Sequence, residues 1–284
     1  MKILITGSVG NIGRNLINYL NNFPYHIIAT GLKPHEQITG KKLKYRQLDI
    51  LKKTEIEKIF SEEQPDTVVH LAGLTPELCQ KDPQLAKLIN IQGTRNIGNI
   101  SAKYHIKKFI FSSTAAVYYQ TKKVPVSESF KPKPSSIYGQ TKLQAERELA
   151  KIAQKRNFSL AIMRIFNVYG PGLNNSLINK LQNSEKKRPV DIIDPKNFIR
   201  DYIHVSEVCK VIQLLLKPEW QGIKFFNVAS GIPRSTESLI KELRKSGYKV
   251  YFRLIPGIST TFSIANINKL NKFLKYQPVK DLII

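Results

Sequence analysis

Cysteine, tryptophan and acidic residues are scarce in this chain of 284 residues, and long apolar runs are missing. The two cysteines, Cys79 and Cys209, stand far apart, with no CxxC pair and no neighbouring His. That excludes a disulfide framework and leaves no zinc-ligand spacing, so no metal is expected. No apolar stretch approaches the ~18–20 residues that cross a bilayer, so no membrane contact is expected. The opening MKILITG runs from one Lys through a short apolar segment straight into glycine, without the longer core and cleavage site of a signal peptide. It reads as a buried strand, and the expected location is the cytoplasm.

The shortage of acid leaves a large charge imbalance: 45 Lys and Arg against 21 Asp and Glu, a net charge of +24. Such an excess can signal nucleic-acid binding. Here the lysines are spread through every segment, with no zinc-finger spacing and no aromatic RNA-binding signature. The readings are a lysine-rich background composition and a positive field that attracts anionic substrates, with no nucleic-acid partner expected. Hydrophobic residues at 42% are ordinary for a globular chain.

What is present is an alternation of strands and helices. Short apolar runs at Lys2–Thr6, His26–Thr30, Lys44–Gln47, Thr67–Leu71 and Lys108–Ser112 read as strands. Between them, Arg14–Leu20, Ile50–Ser61 and Leu85–Tyr104 carry helical spacing. A further helix from Tyr138 to Lys155 and a strand at Leu160–Phe166 continue the pattern. Such alternation implies crossover units and a parallel sheet covered on both faces. The expected fold class is α/β, a doubly wound parallel sheet with a smaller discontinuous lobe. The expected division is 1–168 with 198–229 for the larger domain, and 169–197 with 230–284 for the lobe.

Gly7, Gly10 and Gly13 fall at GxxGxxG spacing between the first strand and the first helix. This is where a dinucleotide pyrophosphate meets a tight turn, a close backbone approach and a helix N-terminus. The fold is therefore expected to be Rossmann-type. An acid is expected at the end of the second strand for the adenosine ribose, and Gly31 stands there instead. Lys33 is placed to meet a 2′-phosphate. Asp49 is a partner for the adenine amino group or, equally, an N-cap for the helix from Ile50.

Tyr138 and Lys142 stand at i and i+4 on one helix face. An ammonium beside a phenol favours the phenolate, which lets the pair move a proton at a hydroxyl or carbonyl. Upstream, Ser112-Ser113-Thr114 lies at the carboxyl end of a strand, where open α/β sheets bind ligands. Thr114 offers a hydroxyl for the substrate oxygen, and Ser113 is the second candidate.

With these motifs the chain resembles the extended short-chain dehydrogenases of the NAD-dependent epimerase/dehydratase family. The matching segments keep the family's order: Gly7–Gly13, HLAG at 70–73, NIQGT at 90–94, SSTAAVY at 112–118 and YGQTK at 138–142. RIFNVYGP at 164–171, RDYIHV at 200–205, FNVASG at 226–231 and LKYQP at 274–278 follow. The resemblance implies an NAD(P) cofactor lined by Gly7, Gly10, Asn11, Ile12, Gly13, Lys33, Asp49, Ile50, Leu71, Ala72, Gly73, Asn90, Ser112, Tyr138 and Lys142. It implies Thr114, Tyr138 and Lys142 as catalytic residues, and Ser113, Thr114, Asn167 and Arg200 as contacts to a nucleotide sugar. His204 reads as a packed structural histidine.

Dehydratases of this type place Asp-Glu after the catalytic Thr. Ala115 and Ala116 stand here, which disfavours loss of water. A 4-epimerase using transient oxidation at C4 is expected, with an NADPH-dependent 4-keto-sugar reductase as the alternative and a non-catalytic NAD(P)-binding protein as a further one. A second diphosphate-binding Arg is expected before Asn268. Pro256 or Gly257 occupies its place, with Arg253 three residues earlier. The family also implies a homodimer through the helices Leu85–Tyr104 and Tyr138–Lys155.

Overall fold

The computed structural model describes residues 1–34, 42–118, 124–217, 219–257, 261–279 and 281–282. The chain divides into two compact units. The first comprises Met1–Tyr118, Pro132–Arg164 and Cys209–Phe226. The second comprises Tyr119–Lys131, Ile165–Val208 and Asn227–Ile284.

The first unit is built on a seven-stranded sheet. Its strands are β1 (Lys2–Thr6), β2 (His26–Gly31), β3 (Leu43–Gln47), β4 (Thr67–His70), β5 (Lys108–Thr114), β6 (Ser159–Ile165) and β10 (Ile223–Val228), in the order β10-β6-β5-β4-β1-β2-β3. The pairs β1–β2, β1–β4, β2–β3 and β4–β5 are parallel, with Thr6 opposite both Thr30 and His70. The order reverses at β1, and this reversal is the crevice where doubly wound sheets bind ligands.

Each helix has a local reason to start and stop. Helix α1 (Asn11–Leu20) buries Gly13, Leu16, Ile17 and Leu20 along one face. Helix α2 (Lys53–Glu63) ends on Gln64 in the left-handed conformation. The expected start at Ile50 is three residues early, because Asp49 holds a turn there: its Oδ1 accepts the Leu51 amide at 2.9 Å. A short helix α3 (Pro76–Lys81) was not legible in the periodicity, yet Thr75 caps it and Pro76 opens it. The expected single helix Leu85–Tyr104 is interrupted. It runs as α4 (Pro83–Lys87), a π-helical turn at Leu88–Gly93, and α5 (Thr94–Lys103). Helix α6 (Ile137–Arg156) starts on the Ser136 cap and ends on left-handed Asn157. Between sheet and helices, Phe60, Phe109, Phe111, Ile97, Leu149 and Leu160 are wholly buried in one core. Burial at that level is worth about 1.5–3 kcal/mol for each large apolar side chain.

The second unit holds β7 (Asn167–Tyr169), α7 (Leu177–Gln182), β8 (Val190–Ile192) and β9 (Phe198–His204). It continues with β11 (Pro233–Ser235), α9 (Thr236–Lys245), β12 (Phe252–Leu254), β13 (Thr261–Ser263) and α10 (Asn268–Leu274), while α8 (Val205–Leu216) begins in it. The sequence reading assigned 198–204 to the larger domain. In the structure β9 pairs with β7, β11 and β13 of the second unit. All three partners are three-residue strands, too short to leave a two-residue period. Tyr169, Ile178, Leu181, Tyr202, Leu239 and Leu243 form this unit's own core.

No helix among the described residues is long and apolar enough to cross a membrane, and none of their His, Cys, Asp and Glu residues group as a metal site.

Candidate active site

The turn from β1 into α1 is a backbone cradle. Gly7 adopts φ +69°, and a Cβ there would lie 2.6 Å from the Ala72 amide nitrogen. A Cβ on Gly13 would lie 2.2 Å from the Gly7 carbonyl oxygen. Both positions therefore require glycine. Gly10 precedes the first helical residue in extended conformation, and neither a side-chain cap nor an acid in the first turn occupies the helix start. Asn11 and Ile12 present that turn. The Ser8 hydroxyl is buried without a hydrogen-bond partner among the described residues. Open amides, a glycine cradle and an orphaned hydroxyl fit a dinucleotide pyrophosphate.

Ala72 and Leu71, after β4, are tied to this turn: the Leu71 amide donates to the Thr6 carbonyl at 3.1 Å, and the Ala72 amide to Thr6 Oγ1 at 3.3 Å. Gly73 faces Asn90, whose Oδ1 would lie 3.0 Å from a Cβ there. Asn90 is wholly buried in the π-helical turn. Its Oδ1 accepts the Leu74 amide at 2.8 Å, and its Nδ2 donates to Thr141 Oγ1 at 3.1 Å. The extra residue of the π turn brings this amide between α6 and the loop after β4, a common device at functional sites.

At the end of β2 the structure shows what replaces the missing acid. A Cβ on Gly31 would lie 2.7 Å from the Tyr45 hydroxyl and 3.0 Å from a methyl of Val9. Tyr45 donates that hydroxyl to the Lys33 carbonyl. Lys33 itself is exposed. Ile50 is buried and packs on Gly93.

Tyr138 and Lys142 share one face of α6, as their spacing implies. Thr114, the last residue of β5, accepts the Ala116 amide on Oγ1 at 3.1 Å, and its hydroxyl lies close enough to the Tyr138 phenol to act against the rise in its pKa. The structure thus brings the three expected catalytic side chains together. Half-buried Tyr138 has its phenol pushed up to about 12 by desolvation, with the Thr114 hydroxyl opposing. Lys142 is buried, and desolvation brings its ammonium down to about 8, with Glu146 opposing. Its Nζ lies 4.2 Å from the centre of the Phe111 ring, a cation–π contact.

Two expected contacts have other partners. Ser113 is buried and donates its hydroxyl to Glu146 Oε1. Ser112 donates to the His70 carbonyl at 3.1 Å, joining β5 to β4.

In the second unit, the Asn167 amide donates to the Asp201 carbonyl at 2.9 Å. Arg200 stacks its guanidinium 3.7 Å from the Phe198 ring centre, and burial lowers its pKa. Its neighbour Asp201 accepts from the Ser230 amide and hydroxyl and the Gly231 amide, at 2.7–3.0 Å. The carboxylate of Asp201 therefore serves the backbone. Arg253 makes a bidentate ion pair with Asp191 at 2.8 and 2.9 Å on an exposed surface. His204 packs edge-on against Tyr169 and hydrogen-bonds Ser206, as a structural histidine.

Sequence reasoning missed Glu146, Arg164 and Tyr118. Arg164 donates to both Glu146 oxygens, at 3.1 and 2.7 Å, and to the Tyr118 hydroxyl at 3.0 Å. The available signal was spacing: Glu146 is one helical turn beyond Lys142.

A parallel sheet with a glycine cradle at its switch point and a Thr–Tyr–Lys set beyond β5 defines an extended short-chain dehydrogenase. The chain belongs to the NAD dependent epimerase/dehydratase family, whose model matches residues 3–229. It is 30% identical to a UDP-glucose 4-epimerase of Pasteurella multocida, over 95% of this chain and 91% of that protein. It is 29% identical to the UDP-glucose 4-epimerase of Bacillus subtilis, over 93% and 88%. Among solved structures, the Thermotoga maritima UDP-glucose 4-epimerase with UDP-glucose superposes with a TM-score of 0.87 at 26% identity, covering 98% of this chain and 94% of that one. A Bacillus cereus UDP-glucuronic acid 4-epimerase bound to NAD and UDP-glucuronic acid has a TM-score of 0.85 at 25% identity, covering 98% and 94%.

Proposed function

We propose that this enzyme is an NAD(P)-dependent nucleotide-sugar 4-epimerase. The observation that carries the reading is Thr114 at the end of β5 beside the Tyr138 phenol, with buried Lys142 one turn further along α6. The cradle from Gly7 to Gly13, with Leu71, Ala72 and Asn90, would hold the dinucleotide. When bound, it supplies the hydride acceptor and, once reduced, the hydride donor.

The chain's own residues handle the proton. Tyr138, whose phenol stands at about 12 without the cofactor, would be drawn down to the phenolate by the positive nicotinamide ring and Lys142. It then takes the proton of the 4-hydroxyl while C4 loses hydride, and returns it to the same oxygen as the rotated keto-sugar regains hydride on its other face. Thr114 holds that oxygen. Lys142, kept near the phenol by the helix spacing, favours the phenolate. Ala115 and Ala116 form a 3-10 turn with Val117 directly after Thr114. No carboxylate is available from these positions to expel water.

The adenosine end favours NADP. Tyr45 fills the space over Gly31, and exposed Lys33 offers a cation to a 2′-phosphate. The relative from Bacillus cereus binds NAD, so titration with NADH and NADPH decides this point. Arg200 and Asn167 are proposed for the sugar-nucleotide side. We place the enzyme in the cytoplasm as a homodimer paired through the stretch Leu85–Tyr104, which runs from α4 through the π turn and α5, and through α6. Exposed Leu85 on α4 and Leu88 on the π turn support the pairing, and sedimentation-equilibrium mass measurement tests it.

Incubation with UDP-glucose or UDP-N-acetylglucosamine, followed by NMR, tests the activity. Exchange between C4 isomers without net NADPH loss is expected. Stoichiometric NADPH consumption on a 4-keto-sugar would assign the reductase reading, and binding of neither dinucleotide would sink both.

A further inference from the structure

Behind the catalytic pair lies a buried ionic group that the reaction above does not use. Glu146 is 2% exposed and Arg164 is 5% exposed by side chain, with 2.7 Å between Oε2 and Nη2. Placing two charges out of water is costly unless both are fully hydrogen-bonded. Here Glu146 accepts twice from Arg164 and once from Ser113. Arg164 is further held over the rings of Tyr118 and Phe225, at 5.0 and 4.9 Å.

The group touches the site at two points. Ser113 immediately precedes Thr114, so the Ser113–Glu146 bond ties the end of β5 to α6. Lys142 is one turn before Glu146 on the same helix, where i and i+4 side chains are neighbours, and both are buried. Resting on the epimerase reading, we propose that Glu146 is a positioning residue: its carboxylate keeps Lys142 an ammonium and anchors Thr114 against Tyr138.

The other groups around Lys142 cannot do this. On α6, burial pushes the Tyr138 phenol up to about 12, so it is neutral in the cofactor-free protein. From α3, the Cys79 thiol is pushed up by burial and is neutral, while Glu77 is exposed. From β4, His70 is held neutral by burial. The π turn contributes the neutral Asn90 amide, and β5 the Phe111 ring. Arg164 on β6 acts against the ammonium by repulsion and is compensated by Glu146 itself. Glu146 is the buried anion of this set.

The test reads Lys142 directly, in cofactor-free protein carrying 13Cε-labelled lysine. The Lys142 signal is assigned by its loss in Lys142→Arg. In Glu146→Gln its titration midpoint is expected to fall by about half a pH unit or more. Arg164→Met leaves the carboxylate without its guanidinium and is expected to move the midpoint the other way. In active enzyme, the alkaline limb of kcat should follow the same shifts, with KM for the sugar nucleotide unchanged. An unmoved Lys142 midpoint in folded variants overturns the proposal. Failure of both variants to fold also overturns it, by assigning the pair to stability alone. Failure of the wild-type enzyme to exchange sugars would count against the epimerase reading while leaving the titration result standing.

Discussion

His70 Nδ1 lies 2.6 Å from Thr6 Oγ1, a buried hydrogen bond between the two central strands β4 and β1. The other ring nitrogen meets Thr94 Oγ1 at 2.9 Å, so one imidazole links both strands to α5. Burial, aided by the Lys142 charge, brings this histidine down to about 3. Its folded value is thus below its unfolded value of about 6.5. The unfolded chain binds the extra proton, so stability rises with pH across this window. Between pH 7.5 and 5.5 His70 should cost the fold about 1.4 kcal/mol. Urea unfolding at the two pH values should show this loss in the wild type. It should be absent from the difference in a folded His70→Asn variant.

Tyr138→Phe keeps the ring and removes the proton carrier. Turnover should fall by at least ~100-fold, in line with general acid–base contributions. Dinucleotide binding, read by NADPH fluorescence, should persist. Unchanged turnover would refute the proposed site.

Gly31→Asp introduces a carboxylate where the family pattern expects one, yet its Cβ would meet the Tyr45 hydroxyl at 2.7 Å. The single substitution should destabilise the protein, by ~1–3 kcal/mol for overpacking. Combined with Tyr45→Ala, it should recover stability and shift preference towards NADH. Equal NADH and NADPH affinities throughout would show that this end of the cradle does not select the cofactor.

Ser113→Ala separates the two roles open to this hydroxyl. Since it donates to buried Glu146, its loss should lower stability by about 1.5–3 kcal/mol, the range for bonds to a charged group. KM for the sugar nucleotide should change little. A large rise in KM at unchanged stability would instead place Ser113 against the substrate.

The sheet-forming part of the chain was legible because its signals are local. β1, β4 and β5 are near-continuous apolar runs, and Gly7, Gly10 and Gly13 mark the turn between β1 and the first helix. The second unit was not, because β7, β8, β11, β12 and β13 are three residues each and find partners far along the chain.

The catalytic centre divides in the same way. Tyr138 and Lys142 were determined by the sequence itself, since a helix places i and i+4 on one face whatever surrounds it. Tertiary structure decided what that face meets. It brought Thr114 from β5 beside the phenol, Asn90 from a π turn that periodicity cannot reveal, and Arg164 from β6 onto Glu146. It also turned Ser113 inward to Glu146 and set Tyr45 over Gly31. These outcomes depend on which strands lie side by side and on where one buried charge can find its partner. Both are properties of the assembled sheet, and the residue types at those positions do not carry them.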